Sequence, residues 1–347
     1  MDSLYKTLTI REIREEARGV KTFYFEEPAA QTIPYQAGQY LTLVRQSSTG
    51  EIRRSYSIIS SPVLPEPLAI GVKRIENGIF SRQLIDHAQP GDQVVTTGAA
   101  GLFTLPIDTA NYKHVFFCAA GSGITPIYSL LKTVLYAHPH LLVTLIYSNR
   151  TAEETIFRAE LQTLARQFPD RLKIEYLLSN TPDLNRARLH KALLYAFFKE
   201  HVTAWPDQVL CYVCGPLNYM RMCTYALREA KVPFAQIRKE NFSTDKVVSP
   251  HLPPDLNAHE VQITYGQQQY HLPVQYPKTI LQAAKEAKIP LPYSCEAGRC
   301  GNCVARCTQG QVWLSYNEVL TDKDLLNGLT LTCVGYPVNG EVHLSIS

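Results

Sequence analysis

The sequence contains no run of about 18 apolar residues, so nothing in it reads as a membrane-spanning helix. The opening stretch, Met1-Asp2-Ser3-Leu4-Tyr5-Lys6, lacks the apolar core of a secretory leader, and the expectation is a cytoplasmic protein. Charge of one sign is scarce. Thirty-four Lys and Arg against 31 Asp and Glu leave a net +3, too little to argue for nucleic acid or a membrane surface as partner. Internal repeats and low-complexity tracts are absent, which excludes a repeat array. The nine cysteines are an odd number, and four of them crowd between Cys295 and Cys307. That is a poor disulfide framework and fair evidence for a metal site in a reducing compartment.

What is present is a globular chain of 347 residues, 45% hydrophobic and 19% charged, long enough for two or three domains. Residues 1–107 read as short strands with turn signals: Leu8–Ile10, Thr22–Phe25, Tyr40–Val44, Ser55–Ile59 and Gln93–Thr96. This spacing predicts a small antiparallel β-barrel. Residues 108–245 alternate apolar strands (115–117, 141–147, 209–213) with helical stretches (126–137, 153–167, 217–230). That alternation predicts an α/β domain with a parallel sheet. Residues 246–258, rich in proline and without periodicity, read as a linker. Residues 259–347 form a third unit of α+β type, with a hairpin at 261–272, a helix near 279–287 and the cysteine loop.

Cys295, Cys300 and Cys303 give C-x4-C-x2-C, and Cys333 follows later. This is the spacing of plant-type [2Fe–2S] ligands. Gly298 and Gly301 allow backbone to wrap closely and point N–H groups at sulfur. Zinc sites usually show paired C-x2-C knuckles, which are missing. Cys307 falls in a strand after the loop and reads as core. Cys211 and Cys214 also make a C-x2-C, three positions apart. On a strand they point to opposite faces, so they do not read as a redox pair. Cys118 and Cys223 read as buried hydrophobes.

The segment from Cys118 to Pro126 follows an apolar strand and opens a helix. Gly121 and Gly123 would let backbone approach a pyrophosphate at the helix N-terminus, and Pro126 suits the first helical position. Cys214-Gly215-Pro216 ends a second strand. Both loops lie at carboxyl ends of parallel strands, where open α/β sheets bind ligands. Arg54-Ser55-Tyr56-Ser57 offers a cation for phosphate, an aromatic ring and hydroxyls, although an ordinary amphipathic strand would look much the same. Gly78-Ile79-Phe80-Ser81 precedes a helix, as a second phosphate site or a plain N-cap. The strand to Tyr147 leads into Ser148-Asn149-Arg150, with no acid before Glu153. An arginine there favours the 2′-phosphate of NADPH over the free hydroxyl of NADH.

Together these motifs resemble the ferredoxin–NADP reductase superfamily, and within it the three-domain reductases with a C-terminal plant-type ferredoxin domain. The likeness runs nearly end to end and is strongest to reductase subunits of phenylacetyl-CoA epoxidases. It implies a flavin barrel, a nicotinamide domain and a β-grasp ferredoxin domain. It further implies that Arg54 binds flavin phosphate, Tyr56 packs on the isoalloxazine and Ser57 lies near N5. Ser55 would belong to the same motif, and Gly78, Phe80 and Ser81 to the flavin phosphate turn. Thr125 and Cys214 would flank the nicotinamide. Glu240-Asn241-Phe242 would cover the flavin's other face, with a buried seam as the alternative for Phe242. The implied cofactors are FAD, with FMN as runner-up, the cluster, and NADPH or NADH. The implied partner is an oxygenase or another electron-accepting protein, such as a ring-hydroxylating dioxygenase or a di-iron enzyme. A cofactor-binding redox sensor, and an electron carrier with a silent flavin domain, are the readings from other classes.

Overall fold

The computed structural model describes residues 4–47, 50–245 and 251–346. Residues 1–3 of the opening stretch and 246–250 of the expected linker lie outside the described residues.

The first sheet is built from β1 (Lys6–Ala17), β2 (Val20–Phe25), β3 (Tyr40–Ser47), β4 (Gly50–Ser57) and β5 (Ala69–Lys73), then α1 (Ile79–His87) and β6 (Gln93–Ala100). Its order is β4-β3-β6-β1-β2-β5 and every pairing is antiparallel. An Ile58–Ile70 bridge and the bond from Ile59 N–H to the Ala69 carbonyl join the two ends, closing the expected barrel. Alternate side chains fill it: Leu8 and Ile10, Phe23 and Phe25, Leu41 and Leu43, Ile70 and Val72. Phe80 and Leu84 of α1 add to this core. Strand β5 escapes a sequence reading because it is short and carries Gly71 at its centre. That glycine is needed, since a methyl group there would lie 2.6 Å from Thr125 Cγ2.

The second unit runs β7 (His114–Ala120), α2 (Ile124–Ala137), β8 (Leu142–Asn149), α3 (Arg158–Gln167), β9 (Leu172–Leu178), α4 (Leu184–Ala187), α5 (Lys191–His201), β10 (Val209–Cys214), α6 (Leu217–Glu229) and β11 (Ile237–Glu240). The order β11-β10-β7-β8-β9 is wholly parallel. Alternation along the central strands feeds two cores. Val115, Phe117, Leu210, Tyr212 and Cys214 pack with α2 and α3. Phe116, Cys118, Val209, Cys211 and Val213 pack with α5 and α6. Cys211 and Cys214 therefore diverge, while Cys118 and Cys223 are fully buried. Two details differ from expectation. Helix α3 starts only at Arg158, because Phe157 before it sits at φ 58°, a left-handed conformation. Pro126 is third in α2, where its missing N–H is still one the first turn leaves unbonded.

The third unit comprises β12 (His259–Tyr265), β13 (Gln268–Val274), α7 (Ile280–Glu286), β14 (Val304–Leu314), α8 (Asp322–Leu326), β15 (Leu329–Leu331) and β16 (Gly335–Ile346). The mixed sheet β13-β12-β16-β14-β15 has a parallel β12–β16 pair at its centre. Helix α7, opened by a Thr279–Gln282 capping box, lays Ile280, Leu281 and Ala284 on it in a β-grasp arrangement. Cys307 lies in β14, half-buried against the core rather than within it.

Candidate functional site

The four expected cluster cysteines come together from a loop and a strand end. Cys295 and Cys300 side chains are within hydrogen-bonding reach of each other, and so are Cys303 and Cys333. Among the described residues no three His, Cys, Asp or Glu gather to hold a single metal ion. Two thiolate pairs are instead what a two-iron cluster asks for. The loop is shaped to fit one. Glu296, Gly298 and Gly301 have φ of 50°, 69° and 78°. Ala297 N–H lies 3.4 Å from Cys295 Sγ and Asn302 N–H 3.5 Å from Cys300 Sγ. The Cys300 side chain, then backbone N–H groups, hold the Cys295 thiol down at about 6. Such donors stabilise sulfur-borne negative charge.

On the barrel, Arg54 is exposed and its guanidinium donates to the Arg53 carbonyl at 2.7 Å; among the described residues no carboxylate pairs with it. Tyr56 stands half-buried with its ring 6.1 Å from Phe80, and Ser57 is buried. Gly78 caps α1 without a side-chain bond, while Ser81 Oγ accepts from Ile75 N–H at 3.1 Å. The first N–H groups of α1 are thus open to an anion beside Arg54's strand motif. Ser55 turns its side chain elsewhere. Its hydroxyl bonds Ser294 Oγ at 2.7 Å and Thr42 Oγ1 at 3.1 Å, so its side chain serves the ferredoxin unit and only its backbone is left for a flavin.

In the parallel sheet the chain reverses its direction of growth between β7 and β10, and the loops after these strands meet there. A methyl group on Gly123 would fall 2.1 Å from the Cys214 carbonyl oxygen, and one on Gly215 2.9 Å from Ala120 Cβ. Gly121 sits at φ 54°. Thr125 is buried and donates to the Ser122 carbonyl at 3.0 Å. At the end of β8, Ser148 Oγ and Asn149 Nδ2 are buried without a well-formed hydrogen bond, as is Tyr176 OH on β9. Arg150 beside them is exposed, and Arg158 lies 5.7 Å from the Tyr176 ring centre. Unsatisfied polar atoms flanked by cations suit a phosphorylated ribose. Phe242 is 48% exposed, which removes the buried-seam alternative.

Sequence reasoning named Glu240 only within the flavin-covering segment and passed over the other residues that join these sites. Glu240 pairs with Cys214 across β10 and β11, is buried, and leaves Oε2 without a partner. Burial lifts its carboxyl to about 8, and burial first and Glu240 second push the Cys214 thiol up. Tyr40 donates to the Cys300 carbonyl at 2.8 Å. Asn302 Nδ2 donates to Thr42 Oγ1 at 2.6 Å. Arg53, paired with Glu51, reaches the Leu291 and Tyr293 carbonyls and stacks 3.8 Å from the Tyr293 ring centre. On the other side Arg238 pairs with Asp324 at 2.8 Å, Arg299 with Glu318 at 3.2 Å, and Arg299 donates to Ser243 Oγ at 2.8 Å. The available signal was slight. Tyr40 and Thr42 alternate with the core leucines 41 and 43, which marks an outer barrel face without saying what covers it.

Comparison with known proteins follows the same three parts. Family models match residues 7–105 as an oxidoreductase FAD-binding domain, 117–224 as an oxidoreductase NAD-binding domain and 263–338 as a 2Fe-2S iron–sulfur cluster binding domain. The chain is 33% identical to the ferredoxin reductase component of 3-ketosteroid-9-alpha-monooxygenase of Mycobacterium tuberculosis, over 97% of this chain and 95% of that one. It is 28% identical to one of the subunits of the 1,2-phenylacetyl-CoA epoxidase of Escherichia coli, over 97% and 96%. The solved structure of phthalate dioxygenase reductase, described as a modular structure for electron transfer from pyridine nucleotides to [2Fe–2S], superposes with TM-score 0.60 at 23% identity, covering 99% of this chain and 98% of that one. The chain therefore belongs to the ferredoxin–NADP reductase superfamily, as an FAD- and [2Fe–2S]-dependent NAD(P)H oxidoreductase.

Proposed function

We propose that this reductase prefers NADPH, and that its cofactors meet where the three units touch. The observation that carries the arrangement is the cluster of buried side chains at that junction. Buried Glu240 neighbours Cys214 of the nicotinamide loop, and buried Tyr40 of the barrel holds the backbone of Cys300. When bound, FAD takes a hydride from the coenzyme and gives its electrons one at a time to the cluster.

The chain's own work is holding, shielding and positioning. Arg54 and the α1 N-terminus at Gly78, Phe80 and Ser81 neutralise the flavin phosphates. Tyr56 gives the ring a flat face, Ser57 offers its hydroxyl near N5, and exposed Phe242 lies over the opposite face until nicotinamide displaces it. Gly121, Gly123 and Thr125 bring α2's N-terminus to the pyrophosphate, while Cys214, Gly215 and Pro216 wall the nicotinamide. Arg150, with Arg158, Ser148 and Asn149, receives the 2′-phosphate. Cys295 with Cys300, and Cys303 with Cys333, each hold one iron. The neutral Cys214 thiol and the protonated Glu240 keep negative charge away from the reacting centre.

The units divide at 1–107, 108–245 and 259–347, with 246–258 between them. The five cysteines outside the cluster set, Cys118, Cys211, Cys214, Cys223 and Cys307, are unpaired thiols, which supports a reducing, cytoplasmic setting. Likeness to ketosteroid and phenylacetyl-CoA systems supports an oxygenase partner, and a di-iron epoxidase is one such acceptor. The test is anaerobic mixing of the holoprotein with NADPH. Flavin bleaching followed by the EPR signal of a reduced cluster is expected. Bleaching with no cluster signal would overturn the reading.

A further inference from the structure

We propose that the β3–β4 hairpin, which carries the proposed flavin motif, is also the seat of the cluster loop, and that Tyr40 is the positioning residue that clamps the loop to it. The inference rests on the reading of the two cofactor sites given above and adds how the chain sets their spacing.

Side chains alternate across a strand, so Arg54 and Tyr56 point to one side of β4, and Arg53, Ser55 and Ser57 to the other. The antiparallel register pairs Tyr40 with Ser57, Thr42 with Ser55 and Val44 with Arg53, and cross-strand partners share a face. Four polar residues of that second face bond the segment that wraps the cluster. Tyr40 reaches the Cys300 carbonyl, Thr42 the Asn302 amide, Ser55 the Ser294 hydroxyl, and Arg53 the Leu291 and Tyr293 carbonyls. Arg54 and Tyr56 take no part. Their contacts are to the Arg53 carbonyl and the Phe80 ring. Arg54 and Tyr56 thus share the face of Leu43 and Leu41, while Ser57 lies on the same face as the residues that hold the cluster loop, so one hairpin carries both the proposed flavin motif and the loop's anchors. With both cofactors bound, the two electrons of one hydride would cross singly, the cluster passing the first to the acceptor protein before taking the second, and the hydride's proton would leave the flavin for solvent.

Tyr40 stands out because its hydroxyl holds the backbone of a cluster ligand itself and its cross-strand partner is Ser57. The fold makes room for the ring. Gly101 sits at φ 119°, and a methyl group on it would come within 2.9 Å of Tyr40 Cε1. Neighbouring Thr42 is fully buried and likewise spends its hydroxyl on the loop.

The experiment uses the reconstituted holoprotein with Tyr40→Phe, which keeps the ring and removes the hydroxyl. Three quantities are read: amide hydrogen exchange over residues 291–302, the rate of flavin bleaching by NADPH, and the rate at which the reduced-cluster EPR signal follows. Losing one buried hydrogen bond should speed exchange in the loop roughly tenfold and slow cluster reduction by roughly three- to tenfold. Flavin bleaching and the shape of the cluster spectrum should stay as they are. A residue that only packs would lower the melting temperature and leave the flavin-to-cluster rate alone. Should Tyr40→Phe fail to load its cluster, Thr42→Val, which removes Asn302's partner, decides by the same rates. Wild-type speed of cluster reduction in the loaded variant would overturn the proposal. Absence of flavin-to-cluster transfer in the wild type would instead overturn the functional reading beneath it.

Discussion

Glu240 and Cys214 stand side by side on adjacent parallel strands, both buried, and the carboxyl oxygen Oε2 of Glu240 has no hydrogen-bond partner. The ordinary value of this carboxyl is 4.5, and burial raises it to about 8. Between those values the folded chain keeps a proton that the unfolded chain has released. The group's contribution to stability is therefore full below about 4.5 and is lost as pH rises through about 8. Glu240→Gln removes the titration. Melting temperatures of wild type and variant should diverge as pH is raised, with the variant favoured on the alkaline side. Parallel curves across that range would show that Glu240 is not a buried acid.

Phe242→Ala separates a shield from a core residue. At 48% exposure the side chain has little packing to lose, so stability should change by about 1 kcal/mol or less, against the roughly 3–5 kcal/mol of a buried Phe. Hydride transfer or coenzyme affinity should change while FAD stays bound. A large loss in thermal melts with normal stopped-flow bleaching would contradict the shielding role.

Arg150→Ala probes the coenzyme's phosphate. Losing one exposed charge-assisted contact should lower the kcat/KM ratio of NADPH over NADH by about tenfold. Equal use of both coenzymes in the wild type, unchanged in the variant, would remove the proposed preference.

Gly123→Ala tests the contact between the two nucleotide loops. The added methyl group meets backbone, the Cys214 carbonyl at 2.1 Å, and cannot be relieved by turning a side chain. The variant should lose about 1–3 kcal/mol of stability and much of its coenzyme affinity, read by melts and by coenzyme titration. Wild-type behaviour in both would mean that the loops do not need this approach.

The sequence carried local chemistry well and tertiary meeting points poorly. Cys295, Cys300, Cys303 and Cys333 were legible because ligand spacing is a property of the chain itself. Gly121 and Gly123 were legible because a strand, a glycine loop and a helix follow one another. Strand β9 and helix α5 went unread, since Leu172–Leu178 interleaves charge with apolar residues and its partner β8 is distant in sequence. Glu240 was legible only as part of the segment expected over the flavin, and its burial beside Cys214 depends on how β10, β11 and the neighbouring units close over it. Ser55 looked like a flavin residue by its motif, yet the pleat turns its hydroxyl toward Ser294, 239 residues along the chain. Pairings of that kind depend on how three separately legible units dock.

The central claim is that electrons leave through the cluster, and Cys303→Ser addresses it most directly. Loss of a thiolate from a four-ligand set should weaken or abolish the [2Fe–2S] site. On the proposed division of the chain, hydride transfer draws on residues 1–245. On one preparation, with cluster EPR recorded, NADPH-driven ferricyanide reduction should persist while turnover coupled to the oxygenase partner collapses. Partner-coupled turnover that survives without a cluster would contradict the account, because the flavin would then be feeding the acceptor directly.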